Sequence, residues 1–87
     1  MNRIIIDVRE PLEYKMGKVK GSINISPSKM MQGLPDALVD TPKDTEIILY
    51  CMSGARSATA MQVLRSYGFT NLVNGINKAQ VQAKYIK

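Results

Sequence analysis

The chain has 87 residues, 45% hydrophobic and 22% charged, a composition that makes one ordinary globular domain over residues 1–87 and leaves no room for a second. With one cysteine and no histidine it has no disulfide framework, no Ser-His-Asp triad, no Cys-His pair and none of the usual zinc ligand sets, so no metal is expected. The formal net charge of +5 favours anionic partners, but the basic residues are scattered and few aromatics accompany them, so nucleic acid is not an expected partner.

Ile4-Ile5-Ile6 with Val8 is a β-branched apolar run that does not alternate, the signature of a strand buried on both faces. Asp7 and Arg9 bring charge where such a strand leaves the core. Pro11, with Glu10 and Glu13, suits a helix start, and a short helix through Met16 ends near Gly17. Residues 22–25 alternate and predict a short strand. Ser28 is a candidate N-cap for a helix over residues 29–33, and one helical turn is expected over residues 36–39. Ile47-Ile48-Leu49-Tyr50 predicts the second buried strand, with Cys51 at its carboxyl end and a small-residue loop after it. Residues 57–67 carry Ala60, Met61, Val63 and Leu64 on one face of a helix that Gly68 ends. Phe69 with Leu72-Val73 predicts a third buried strand, Asn74-Gly75 a turn, and residues 77–85 a last helix. Strands alternating with helices argue for a small α/β domain, a mostly parallel sheet with helices on both faces. Ligands bind such sheets beyond the carboxyl ends of the strands, where Cys51 stands.

No apolar run reaches the roughly 20 residues that span a membrane, so no membrane partner is expected. The apolar stretch after Met1 is too short for a signal peptide. A cytoplasmic protein is expected, or a periplasmic one if the chain is a mature form whose signal has been removed.

The segment Cys51-Met52-Ser53-Gly54-Ala55-Arg56-Ser57 carries the strongest functional signal. A strand end, a glycine-containing loop and a helix start direct backbone N–H groups at one sulfur, a nest that binds anions. The helix dipole and Arg56 add positive potential, and both lower a thiol pKa from about 8.5 into the range of roughly 3.5–7.5. A thiolate is itself the nucleophile and needs no histidine base. Cys51 is thus the candidate catalytic residue, with Met52, Ser53, Gly54, Ala55, Arg56 and Ser57 forming the substrate cradle. An arbitrary cysteine is more often a small core residue, but the loop context weighs against that here. Four residues separate Cys51 from Arg56. Cysteine phosphatases have five at this spacing, so phosphate-ester hydrolysis and arsenate reduction fit poorly. The missing second cysteine excludes a thioredoxin-like site.

Three segments resemble the single-domain rhodaneses, the thiosulfate sulfurtransferases. They are the run Ile6-Asp7-Val8-Arg9-Glu10-Pro11-Leu12-Glu13-Tyr14, the run Gly21-Ser22-Ile23-Asn24-Ile25, and the Cys51–Ser57 loop continued by Gly68-Phe69-Thr70-Asn71-Leu72. The chain is similar to the compact phage-shock type within that family. The resemblance implies a rhodanese-like fold without a cofactor, and a double displacement through a Cys51 persulfide. Thiosulfate or another sulfane-sulfur donor would load the cysteine, and cyanide, a small thiol or a thiol protein would unload it. It implies that Asp7 and Arg9 brace the fold near the site, and a monomer is expected. The alternative is a sulfur-relay or binding module that does not turn over thiosulfate. Two departures stand out. Lys18 and Lys20 occupy positions where the family often has His and Pro, and its common Gly-Gly near the end is reduced here to Gly75-Ile76-Asn77.

Overall fold

A computed structural model describes residues 3–86; Met1, Asn2 and Lys87, and with them the first two residues of the segment weighed above as a leader, lie outside the described residues. Four strands, β1 (Arg3–Asp7), β2 (Ile23–Asn24), β3 (Glu46–Cys51) and β4 (Leu72–Asn77), form one sheet in the order β2-β1-β3-β4. Every pairing is parallel, so the expected mostly parallel sheet is wholly so among these strands. The helices are α1 (Pro11–Met16), α2 (Pro27–Met31), α3 (Ala55–Ser66) and α4 (Lys78–Tyr85), with one 3-10 turn at Asp36–Leu38.

The two faces of the sheet divide the core. Ile6, Val8, Ile47, Leu49 and Cys51 pack with Met30 of α2 and Ala60 and Leu64 of α3. Ile48 and Tyr50 face the other way, onto Val19 and Val81 of α4. Strand residues of opposite parity are both buried, which is why β1 and β3 read as continuous apolar runs. No helix among the described residues is long and apolar enough to cross a membrane.

Three expectations shift, each for a local reason. Helix α2 starts earlier: Ser26, not Ser28, is the N-cap, and its side chain accepts the Lys29 N–H at 3.4 Å. Pro27 takes the first helical position, where its missing donor costs nothing, so the cap falls on the residue before it. Helix α3 also starts earlier, at Ala55, because Gly54 adopts a left-handed conformation (φ 95°) and its carbonyl accepts the Ala58 N–H at 2.9 Å. Arg56 and Ser57 therefore belong to the first turn of α3.

The third shift is in β4. Phe69 is not a strand residue; it is buried in the core just after the Gly68 stop. Asn74-Gly75 is not a turn either, and the strand continues to Asn77. Leu49 pairs with Asn74, but Tyr50 pairs with Ile76, so Gly75 is the extra residue of a β-bulge. A Cβ on Gly75 would lie 2.5 Å from Val81 Cγ2 and 3.2 Å from the Leu49 carbonyl oxygen, so only glycine fits between β3 and α4. Gly75→Ala is expected to cost about 1–3 kcal/mol of stability, the usual range for overpacking, read as a lower urea midpoint at unchanged slope.

Candidate functional site

Cys51 is the last residue of β3, where its pairing with Asn77 of β4 fixes the backbone, and the free thiol is 2% exposed. Its Sγ accepts the Gly54 N–H at 3.0 Å. The left-handed backbone of Gly54, accessible to glycine at little cost, folds the loop back so that α3 begins beside the sulfur. Met52, Ser53 and Ala55 turn their side chains to solvent, so this loop presents backbone to the sulfur. Ser57 turns inward and is fully buried. Its Oγ makes no hydrogen bond among the described residues, which leaves the hydroxyl free to donate to Cys51 in its thiolate form.

Two opposing influences set the ionisation of Cys51. Burial pushes the thiol up. The Ser57 hydroxyl and the amides of Ser57, Ser53 and Gly54 outweigh it, and the pKa is lowered to about 7. Hydrogen bonds to the charged form are the cause, as at other anion-binding helix starts.

Arg56 is placed differently from the loop amides. Its Nη1 and Nη2 donate to the two carboxylate oxygens of Glu13 at 2.7 and 3.2 Å. Glu13 Oε1 also accepts the Glu10 N–H at 3.0 Å at the start of α1. One carboxylate thus caps α1 and holds the first turn of α3. The Arg56 hydrogen bonds and the Glu10 amide keep Glu13 down at about 2, and the same contact with Glu13 raises Arg56. Arg56 still acts on Cys51 through its charge.

Asp7 and Arg9 form a buried pair at the end of β1. Asp7 Oδ1 accepts Arg9 N–H and Nε–H, both at 2.9 Å, and Oδ2 accepts Nη2 at 2.6 Å and the Tyr50 O–H at 2.7 Å. Arg9 Nη2 reaches on to the Gly17 carbonyl at 2.6 Å, and the Tyr50 oxygen accepts the Val19 N–H at 3.0 Å. Tyr50 faces the α4 side of the sheet, whereas Cys51 belongs to the α2–α3 side. The network therefore fixes the ends of β1 and β3 from the face opposite the thiol.

Three residues of this constellation escape a reading of the sequence. Tyr50 reads as one more strand residue, although a phenol in a doubly buried strand needs a polar partner and Asp7 is the charge nearest in register. Glu13 reads as a helix-start acid. Asn74 reads as a turn, yet its Nδ2 donates to the Gly54 carbonyl at 3.0 Å. No group of three or more His, Cys, Asp or Glu side chains could hold a metal ion among the described residues.

Removing the Asp7 carboxylate strands Arg9 in the interior, so Asp7→Ala is expected to lose about 3–5 kcal/mol in urea unfolding, the usual cost of breaking a buried pair. The Glu13–Arg56 pair carries a pH signature. Because the folded-state pKa of Glu13 is depressed, its contribution is fully present above pH 4.5 and is lost as the pH falls towards about 2. Glu13→Gln is expected to unfold more easily than the parent at neutral pH, and the gap should close across that acid window in a series of thermal melts.

The family model for the rhodanese-like domain matches residues 1–80. The chain is 39% identical over 70 residues to the uncharacterized protein YqhL of Bacillus subtilis, covering 80% of this chain and 52% of that one. It is 36% identical over 80 residues to the mitochondrial thiosulfate sulfurtransferase RDL2 of Saccharomyces cerevisiae, covering 79% and 52%. It thus spans about half the length of these curated relatives. Among solved structures, a rhodanese with anions from E. coli superposes with a TM-score of 0.77 at 28% identity, covering 91% of each chain. Given a match to the family model along almost the whole chain, and a fold that superposes on a solved rhodanese over nine-tenths of its length, this protein belongs to the rhodanese-like domain family.

Proposed function

We propose that the protein is a sulfurtransferase in which Cys51 carries the transferred sulfur as a persulfide. The observation that supports this most is the Gly54 N–H aimed at Cys51 Sγ at 3.0 Å within a loop that turns backbone amides to a buried sulfur. The names of relatives add support: RDL2 and PspE of E. coli are both called thiosulfate sulfurtransferases.

In the first step the Cys51 thiolate attacks the outer sulfur of thiosulfate. The new bond joins Sγ to that sulfur, the old sulfur–sulfur bond breaks, and its electron pair leaves with sulfite. The loop amides and the start of α3 that favour the thiolate also favour the negative charge of the persulfide anion. In the second step a nucleophile (cyanide, a small thiol or a protein thiol) attacks the outer sulfur, and Cys51 departs as a thiolate. No proton need be taken from the cysteine at a pH above about 7, which is how the site works without a histidine. Arg56 supports the loop through Glu13 and adds positive charge near the sulfur. That use of its guanidinium also weighs against phosphate-ester chemistry, which needs an arginine turned to the phosphate.

The protein treated with thiosulfate should gain the mass of one sulfur atom at Cys51 and form thiocyanate with cyanide, and Cys51→Ser should do neither. Sulfite release should rise with pH and level off above an inflection near 7, because the thiolate is the reacting form. Absence of the adduct on an intact thiol would overturn the thiosulfate assignment. Loading from a protein persulfide in its place would identify a relay module.

A further inference from the structure

The β4 bulge reaches across to the Cys51 loop through one side chain. Asn74 Nδ2 donates to the Gly54 carbonyl at 3.0 Å, and Asn74 Oδ1 accepts the Ile76 N–H at 3.0 Å. Both ends of one carboxamide are therefore engaged, one on the loop and one on the bulge. Ile76 has φ 75°, the only positive value among non-glycine residues described, and for a β-branched side chain that conformation is strained. Such strain persists where surrounding contacts over-determine it, and an outlier beside a reactive group raises the question of its use. Here the bulge brings Ile76 against the loop: a Cβ built on Gly54 would lie 3.6 Å from Ile76 Cγ2 and 3.5 Å from the Asn74 carboxamide.

Gly54 is the residue whose orientation matters. Its N–H points at Cys51 Sγ, and its carbonyl accepts both the Ala58 N–H at 2.9 Å and the Asn74 carboxamide. The Ala58 bond alone is an ordinary first bond of α3 and leaves the glycine free to tilt about its soft dihedrals. The second acceptor bond, from a different element, removes that freedom.

We propose that Asn74 is a positioning residue of the Cys51 site: by bridging the Gly54 carbonyl to the strained Ile76 backbone, its carboxamide locks the Gly54 N–H on the sulfur. This rests on the reading of Cys51 as a nucleophile. It adds that the electrostatics of the nucleophile are set partly from β4, outside the Cys51–Ser57 segment.

The test is the rate at which iodoacetamide alkylates Cys51, the only thiol in the chain, as a function of pH. Asn74→Ala and Asn74→Gly should shift the inflection upward from near 7 by about one unit, making alkylation about tenfold slower below it. Asn71→Ala is the control, because it removes a similar carboxamide-to-carbonyl bond, to Asp44 at 3.3 Å, just before β4 at the end of the β3–β4 pair opposite Cys51, and should leave the inflection in place. Folded Asn74 variants with an unmoved inflection would overturn the proposal, as would an equal shift in Asn71→Ala. The unsubstituted protein supplies a measurement that does not depend on the variants folding. In its NMR spectrum the Gly54 amide and the Asn74 side-chain amide protons should titrate with the inflection of Cys51, and an Asn74 carboxamide blind to that ionisation would overturn the proposal equally. Alkylation uses no sulfur donor, so its outcome is independent of whether the persulfide forms. A missing persulfide with a shifted inflection counts against the sulfurtransferase reading alone.

Discussion

One residue, Gly54, joins the chemistry to the architecture. Its N–H serves the Cys51 sulfur and its carbonyl opens α3, so the residue that meets the sulfur is also the one that starts the longest helix. Neither role can be changed without the other. A left-handed residue is needed there to reverse the chain so soon after β3, and a side chain at that conformation is disfavoured. The buried Ser57 hydroxyl follows from the same geometry, because beginning the helix at Ala55 turns position 57 inward.

The thiol sits at a balance between two large and opposite effects. A sulfur this enclosed disfavours charge, and only several donors arriving together reverse that preference. A chain with no histidine has few other ways to reach a thiolate near neutrality. Enclosure has its own use, since water kept from the sulfur strengthens each donor's hold on it. The supports for this arrangement come from around the sheet end. Glu13 holds α3 from α1, Asn74 holds the loop from β4, and the Asp7–Arg9–Tyr50 cluster fixes β1 to β3 from the reverse face.

How far these features could be read from residues alone depends on their range. The apolar runs of β1 and β3, the place of Cys51 at a strand end and the glycine in the following loop are local patterns, and each is legible. So is the α/β layering, which follows from alternation of element types. Helix starts were legible only to within two residues: Ser26 and Ser28 both suit a cap, and Pro27 decides between them through a missing donor. The decisive partners are remote: Val19 and Asp7 lie 31 and 43 positions from Tyr50, Arg56 lies 43 from Glu13, and Gly54 lies 20 from Asn74. Periodicity says nothing about such contacts. Asn74-Gly75 shows the difficulty most clearly, because the same dipeptide that marks a turn in one setting makes a bulge where a helix packs close to the strand.

The bulge has a consequence for how this chain can vary. A strand is a two-beat rhythm, and one inserted residue holds the beat so that everything after it lands on the opposite face. Gly75 is that held beat. It lets Asn74 face the loop, brings Ile76 opposite Tyr50 and delivers Asn77 opposite Cys51, in step to cap α4. Loops elsewhere can gain or lose a residue and close up around the change. The stretch from Leu72 to Asn77 cannot, because its count is in phase with the thiol.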